Sequence, residues 1–295
     1  MVEKEAEQSI KNIKVETQKL IDENNKYIQI ANLFNLSREM YNNKDYDFTT
    51  KYNSIIKYNL EIIKLYGDIE NIKDRNHINN YAVAYYNIGK SKSDLGEQDE
   101  AIEYLNKSIK LNPNFSNAYV YRGMAYYQLE KYSEALKDYN KAIDLDENND
   151  YAYVNRGLVK EELRELSEDS ISIYDIIQDY NEAIKLKPND FESYVNRARI
   201  KEIIKDYNGA IEDYNKVIGL NHKEPKIYFN RYFNKEILLT NIKDKTSEEY
   251  KKYFEDTYND LDIAYNLADG QLKAMIKEKV ISMAILDNEV AKKIL

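Results

Sequence analysis

This 295-residue chain predicts an all-α fold, a solenoid of stacked helical hairpins with extra terminal helices, on three observations. A pattern recurs: Tyr85, Tyr119, Tyr153, Tyr194 and Tyr228 follow at steps of 34, 34, 41 and 34 residues, and Ser108, Ala142, Ala183, Val217 and Ala264 form a second column of compact side chains. Such a period marks a repeat architecture, in which each unit buries apolar surface only against its neighbours. Eight Gly and three Pro are few for the length, and 32% of residues are charged, which favours long solvated helices over a turn-rich β fold. Apolar residues within each copy recur three and four apart, as one face of a helix requires.

Composition narrows the chemistry. Without Cys there is no disulfide framework, thiolate metal site or cysteine nucleophile. Imidazole is limited to His77 and His222, in different parts of the array, so neither a metal nor a cofactor is expected. A net charge of −9 disfavours a nucleic-acid surface, which needs clustered Lys and Arg. The start, Met1-Val2-Glu3-Lys4-Glu5, is charged, and no apolar run approaches the roughly 20 residues of a membrane span. The expectation is a soluble cytoplasmic protein with no membrane insertion. No Gly-rich phosphate loop or nucleophile elbow occurs, so no enzyme is expected.

Residues 1–81 read as N-terminal helices, a degenerate repeat and cap. Over 3–23, Ala6, Ile10, Ile13, Thr17 and Leu20 make one apolar stripe, which fits either an end cap packed on the next helix or a coiled-coil dimerisation arm. A second helix is predicted over 25–42 and a third over 46–66, stopped by Gly67. Five hairpins follow over 82–267, as copies 82–115, 116–149, 150–190, 191–224 and 225–267. The third copy is seven residues longer, and Ser167-Glu168-Asp169 reads as the start of a lengthened second helix. The fifth is thirteen longer, with Thr246-x-x-Glu249 as a capping box opening a long helix to Leu267. Both extensions fit extra packing or a partner surface. Residues 268–295 read as a C-terminal capping helix, with Leu272, Met275, Ile276, Val280, Met283, Ala284 and Leu286 on its apolar face. Its lysines, Lys273, Lys277, Lys279, Lys292 and Lys293, read as a solvated, mildly basic end.

These residues carry a family resemblance. Tyr-x2-Ile/Arg-Gly, then Ala101-x3-Leu105 or Ala135-x3-Tyr139, then Pro113 or Pro188 after the second helix, resembles the tetratricopeptide repeat over about residues 82–267. Tyr stands where the family usually has Trp, and Glu147 and His222 stand where Pro is expected. The resemblance implies a right-handed α-α superhelix (solenoid) whose concave groove holds a peptide or helix of a partner protein. First-helix residues just beyond the aromatic anchor would line that groove: Asn87, Tyr121, Asn155, Asn196 and Asn230. In some superhelical members of the family a similar asparagine ladder grips the peptide backbone, which suits an amide's paired donor and acceptor. Tyr86, Lys90, Met124, Tyr127, Arg199, Phe229 and Phe233 are further groove candidates, equally explained as inter-repeat packing. The Lys/Asn/Arg clamp by which chaperone-binding members hold a C-terminal carboxylate is incomplete here, with Val154 and Leu158 at polar registers.

Two more columns stand out. Arg122, Arg156, Arg197 and Arg231 share one first-helix position, and Asp138, Asp179, Asp213 and Asp260 share one second-helix position. The copy without the arginine, with Ile88 there, also lacks the aspartate and has Tyr104. The joint loss predicts a structural ladder inside each hairpin; the rival reading is an anion-binding stripe facing the groove. A second asparagine column, Asn106, Asn140, Asn181 and Asn215, has no role assigned by spacing alone. The expected function is a non-enzymatic interaction scaffold for a protein or peptide, monomeric or weakly homo-oligomeric. A structural or self-assembly subunit using the terminal helices and extended hairpins is the alternative.

Overall fold

The computed structural model describes residues 2–67, 74–166, 171–220 and 223–285, and the side chains of residue 8 and of 10–281 within them. Among the described residues there are thirteen helices and no strand. The chain divides into two compact units, Met1–Glu147 and Asn148–Leu295.

The first unit opens with α1 (Val2–Asn42), a single helix of 41 residues where the sequence predicts two. It contains neither Gly nor Pro, and the Asn24-Asn25 pair costs only a few tenths of a kcal/mol per residue in helix propensity, about 0.7 at most. Only its second half packs: Ile30 and Ser37 are buried, whereas Ile10, Ile13 and Leu20 are 54%, 63% and 62% exposed. That stripe is therefore not a cap laid on the next helix. α2 (Phe48–Tyr66) starts where the Asp47 carboxylate accepts the Thr50 N–H, and it ends at Gly67. A polar joint fixes the entry to the stack. Asn59, fully buried on α2, donates to Ser37 Oγ at 2.8 Å and accepts from Asn87 at 3.1 Å, tying α2 to α1 and to α3 (Arg75–Asp94).

α3 pairs with α4 (Gln98–Leu111), and α5 (Ser116–Gln128) with α6 (Tyr132–Leu145). The helices of a hairpin cross closely because one contributes no side chain: a Cβ on Gly123 would sit 2.9 Å from the Tyr139 ring. At the turns, Gly96 and Glu130 take positive φ, 84° and 57°, and the first is a glycine as that region prefers.

The second unit contains α7 (Asp150–Glu165) with α8 (Ile173–Leu186), α9 (Phe191–Ile203) with α10 (Tyr207–Gly219), α11 (Pro225–Thr240) with α12 (Glu248–Leu267), and α13 (Gly270–Ile285). Ser167-Glu168-Asp169 lies outside the described residues, but it does not open α8. Ser172 caps that helix, accepting the Tyr174 N–H, and α8 keeps the 14 residues of α4 and α6. α7 instead has 16 residues against 13 in α5. The second insertion does lengthen α12, to 20 residues, but its cap is Ser247, one residue beyond the expected Thr246. The Thr246 hydroxyl is turned back on Asp244 at 2.7 Å. Ile276 and Val280 of α13 are buried with Tyr232 and Leu261, while Met275 is exposed. Lys279 is not merely solvated, since it pairs with Glu236 at 3.1 Å. The side chains of Met283, Ala284 and Leu286, with Lys292, Lys293 and His222, lie outside the described residues.

Candidate functional site

The arginine and aspartate columns meet. Arg122 Nε lies 2.8 Å from Asp138, and Arg156, Arg197 and Arg231 reach Asp179, Asp213 and Asp260 at 3.1, 2.9 and 2.8 Å through the same nitrogen. A terminal nitrogen of each arginine holds the other carboxylate oxygen, giving the planar two-point contact that suits a guanidinium. Each guanidinium also lies over the tyrosine one turn earlier, with Arg122 5.4 Å from the Tyr119 ring centre and Arg197 5.5 Å from Tyr194. In the hairpin without the pair, Ile88 is fully buried instead.

Two further columns complete the ladder, one of lysines that spacing alone does not bring out and the second asparagine column, whose role spacing leaves open. Lysines four residues after the arginine, Lys160, Lys201 and Lys235, give Asp179, Asp213 and Asp260 a second cation at 2.7, 2.9 and 2.9 Å. At that position the second hairpin has Tyr126. There, burial pushes the Asp138 carboxyl above its usual range, and Arg122 pulls it back only in part. The second asparagine column is used as well. Arg122, Arg197 and Arg231 each donate through Nη1 to an asparagine of the preceding hairpin, Asn106, Asn181 and Asn215, at 2.6 Å in every case. One guanidinium thus closes its own hairpin and fastens it to the one before, leaving little with which to hold an external anion.

The groove candidates divide by unit. In the first, Tyr86 packs against Phe115 and Tyr121, with ring centres 4.8 and 5.5 Å apart. Lys90 Nζ lies 3.9 Å from the centre of the Tyr41 ring and 4.9 Å from that of Tyr121. Burial draws the Lys90 ammonium down, but the adjoining Tyr41 and Tyr121 side chains hold it above its ordinary value, while burial pushes Tyr121 up to about 12. Asn87 and Lys90 border a cavity of about 370 Å³, and Asn35, Arg38 and Tyr41 of α1 close its other side. Met124 is half-buried, and the Tyr127 ring packs against Tyr132.

In the second unit Asn155 donates to the Tyr151 carbonyl of its own helix, and Asn230 to the Tyr214 hydroxyl at 3.4 Å. Asn196 accepts from Arg199, which also reaches Glu161 at 3.2 Å. Phe233 is partly exposed beneath Lys279. Phe229, by contrast, is buried in the α11–α13 core and has little surface to offer a partner.

Models of the tetratricopeptide repeat match residues 82–115, 104–137 and 191–223, and a TPR repeat model matches residues 123–163. Tetratricopeptide repeats are thus matched over residues 82–163 and 191–223. Two solved structures, of YrrB and MamA, agree on the fold. YrrB, described as a TPR protein with an unusual peptide-binding site, is 20% identical over 67% of this chain and 92% of its own, with a TM-score of 0.51. The MamA protein is 21% identical over 64% and 96%, with a TM-score of 0.50. A thermophilic TPR protein from Thermus thermophilus is 17% identical over 70% and 98%, with a TM-score of 0.49. No curated protein matches the chain.

Proposed function

We propose that this TPR protein is a non-enzymatic interaction scaffold that binds a peptide or helix of a partner protein along its first-helix faces. One observation carries the reading: the second-helix aspartates are buried in the ladder, while first-helix side chains keep accessible surface. Asn87, Lys90 and Tyr121 do so in the first unit, and Asn155, Asn196, Arg199 and Phe233 in the second. The peptide-binding site named for YrrB supports it by analogy of fold. Against catalysis stands the engagement of two carboxyls raised by burial: Arg122 holds Asp138, and Tyr180 and Arg199 hold Glu161.

In this reading residues 82–267 are five repeats and 268–295 a closing helix. The protein works in the cytoplasm, without nucleic acid, metal or cofactor, as a monomer or weak homo-oligomer. No described helix is long and apolar enough to cross a membrane. Each amide contact contributes only about 0.5–1.5 kcal/mol net, against an association cost of roughly 4–15 kcal/mol, so affinity for a short peptide is modest. The test is capture of partners from native cell extract by the full chain and by the Asn87/Asn155/Asn196/Asn230→Ala variant. Loss of a partner by the folded variant supports the reading; identical capture by both removes the asparagines from it.

A further inference from the structure

The N-terminal half of α1 is helical, yet among its described residues the apolar side chains are left exposed. Ile10, Ile13, Leu20 and Ile21 are 54%, 63%, 62% and 47% exposed, and the first aromatic contact to the body of the first unit is Tyr27, whose ring stacks on His77 at 4.9 Å. A lone amphipathic segment of this kind gains little from propensity and is stabilised chiefly by burying its apolar stripe. The stripe is a heptad seam. With Ile10 at position a, Ile13 falls at d, Thr17 at a, Leu20 at d, Asn24 at a and Tyr27 at d. From Ile10 to Asn24 it runs about 22 Å at 1.5 Å per residue.

Three features say what covers it. In the second heptad a β-branched residue at a, Thr17, precedes leucine at d, Leu20, the pattern of two parallel strands, while Ile10 and Ile13 in the first heptad leave the strand number to Asn24. Asn24 at a finds its hydrogen-bonding complement in the same residue of an identical, in-register helix, whereas any apolar partner strands its amide. The flanking charges agree: a parallel pair sets Glu16 beside the second copy's Ile21 and Glu23 beside its Ile28, so no like charges meet. An antiparallel pair keeping the apolar layers together sets Glu16 against a glutamate, either Glu23 or Glu16 itself, and Asn24 against an apolar layer.

We propose that the N-terminal half of α1 is a homodimerisation arm, forming a short parallel two-stranded coiled coil with a second copy of this chain through Ile10, Ile13, Leu20 and Asn24. The seam is short, so the dimer dissociates on dilution.

Light scattering over about a thousandfold range of concentration tests it. The expected result is a mass rising from 34.9 kDa toward twice that value, abolished in an Ile13→Lys/Leu20→Lys variant whose urea midpoint matches the parent's under monomeric conditions. Because the chain has no Cys, strand direction is read separately. Ile13→Cys joins two copies by a disulfide under mild oxidation, while Val15→Cys, on the opposite side of the helix, joins them far more slowly. A constant mass, association that survives the double lysine variant, a trimer, or equal cross-linking at residues 13 and 15 overturns the proposal.

Discussion

Asp213→Asn tests most directly how the ladder holds the repeats. Asp213 is 2% exposed and accepts from Arg197 Nε at 2.9 Å while pairing with Lys201 at 2.9 Å. Both cations are themselves mostly buried, with side chains 17% and 16% exposed. The substitution keeps the shape but removes the charge, leaving two cations without a counter-ion. Breaking a buried pair in this way costs about 3–5 kcal/mol, most of it the desolvation of the charge left behind. Asp138→Asn is the control, because among the described residues a single cation, Arg122, pairs with it, and Arg122 keeps Asn106. Loss of charge-assisted hydrogen bonds there is worth about 1.5–3 kcal/mol. Since repeat arrays open unit by unit, the assay is amide hydrogen exchange in α9–α10 and α5–α6, alongside urea unfolding. A cost for Asp213→Asn below about 1 kcal/mol, or one no larger than for Asp138→Asn, would refute the view that uncompensated buried charge sets the penalty. An apolar replacement of the whole trio, Arg197→Met/Lys201→Met/Asp213→Leu, should be far milder than the single change.

Three further outcomes follow from the geometry. Glu130 holds a φ of 57° at the α5–α6 turn, so Glu130→Gly should stabilise the first unit by about 1 kcal/mol, read as a higher urea midpoint. Gly157→Ala would place a Cβ 2.9 Å from Tyr180 ring atoms; an overpacking cost of about 1–3 kcal/mol should outweigh a helix-propensity gain of about 1, lowering the thermal midpoint. Asp47 is held below the usual carboxylate range, chiefly by the Thr50 hydroxyl and backbone N–H. Its capping contribution is therefore present above the unfolded-state Asp value and lost as pH falls through the lower folded one, which exchange of the first α2 amides should follow in the parent but not in Asp47→Asn.

The repeat spacing is legible because identical side chains return at one interval, and the Arg and Asp columns are legible because one copy lacks both members. What each column touches depends on which helices become neighbours. Asn106 and Arg122 lie sixteen residues apart in different hairpins, and only the stacking makes them partners. Helix starts fail for a local reason, since rival caps adjoin. Thr246 and Ser247 are both competent, and Asp244 decides by engaging the Thr246 hydroxyl. Spacing does not single out Asn59, and only the joint with Ser37 and Asn87 explains its burial. The continuity of α1 is hidden by an asparagine pair that resembles a break but lacks the backbone constraint to make one.

The backward reach of Arg122, Arg197 and Arg231 gives the array a polarity. Every such arginine looks toward the amino end for its amide, so a hairpin leaving the ribosome meets an acceptor already in place, and growth in the order of synthesis never strands a guanidinium. Shortening the array is correspondingly lopsided. Trimming after α10 leaves Asn215, an exposed amide that water satisfies, whereas trimming before α9 takes Asn181 away from Arg197 and loosens the hairpin that remains.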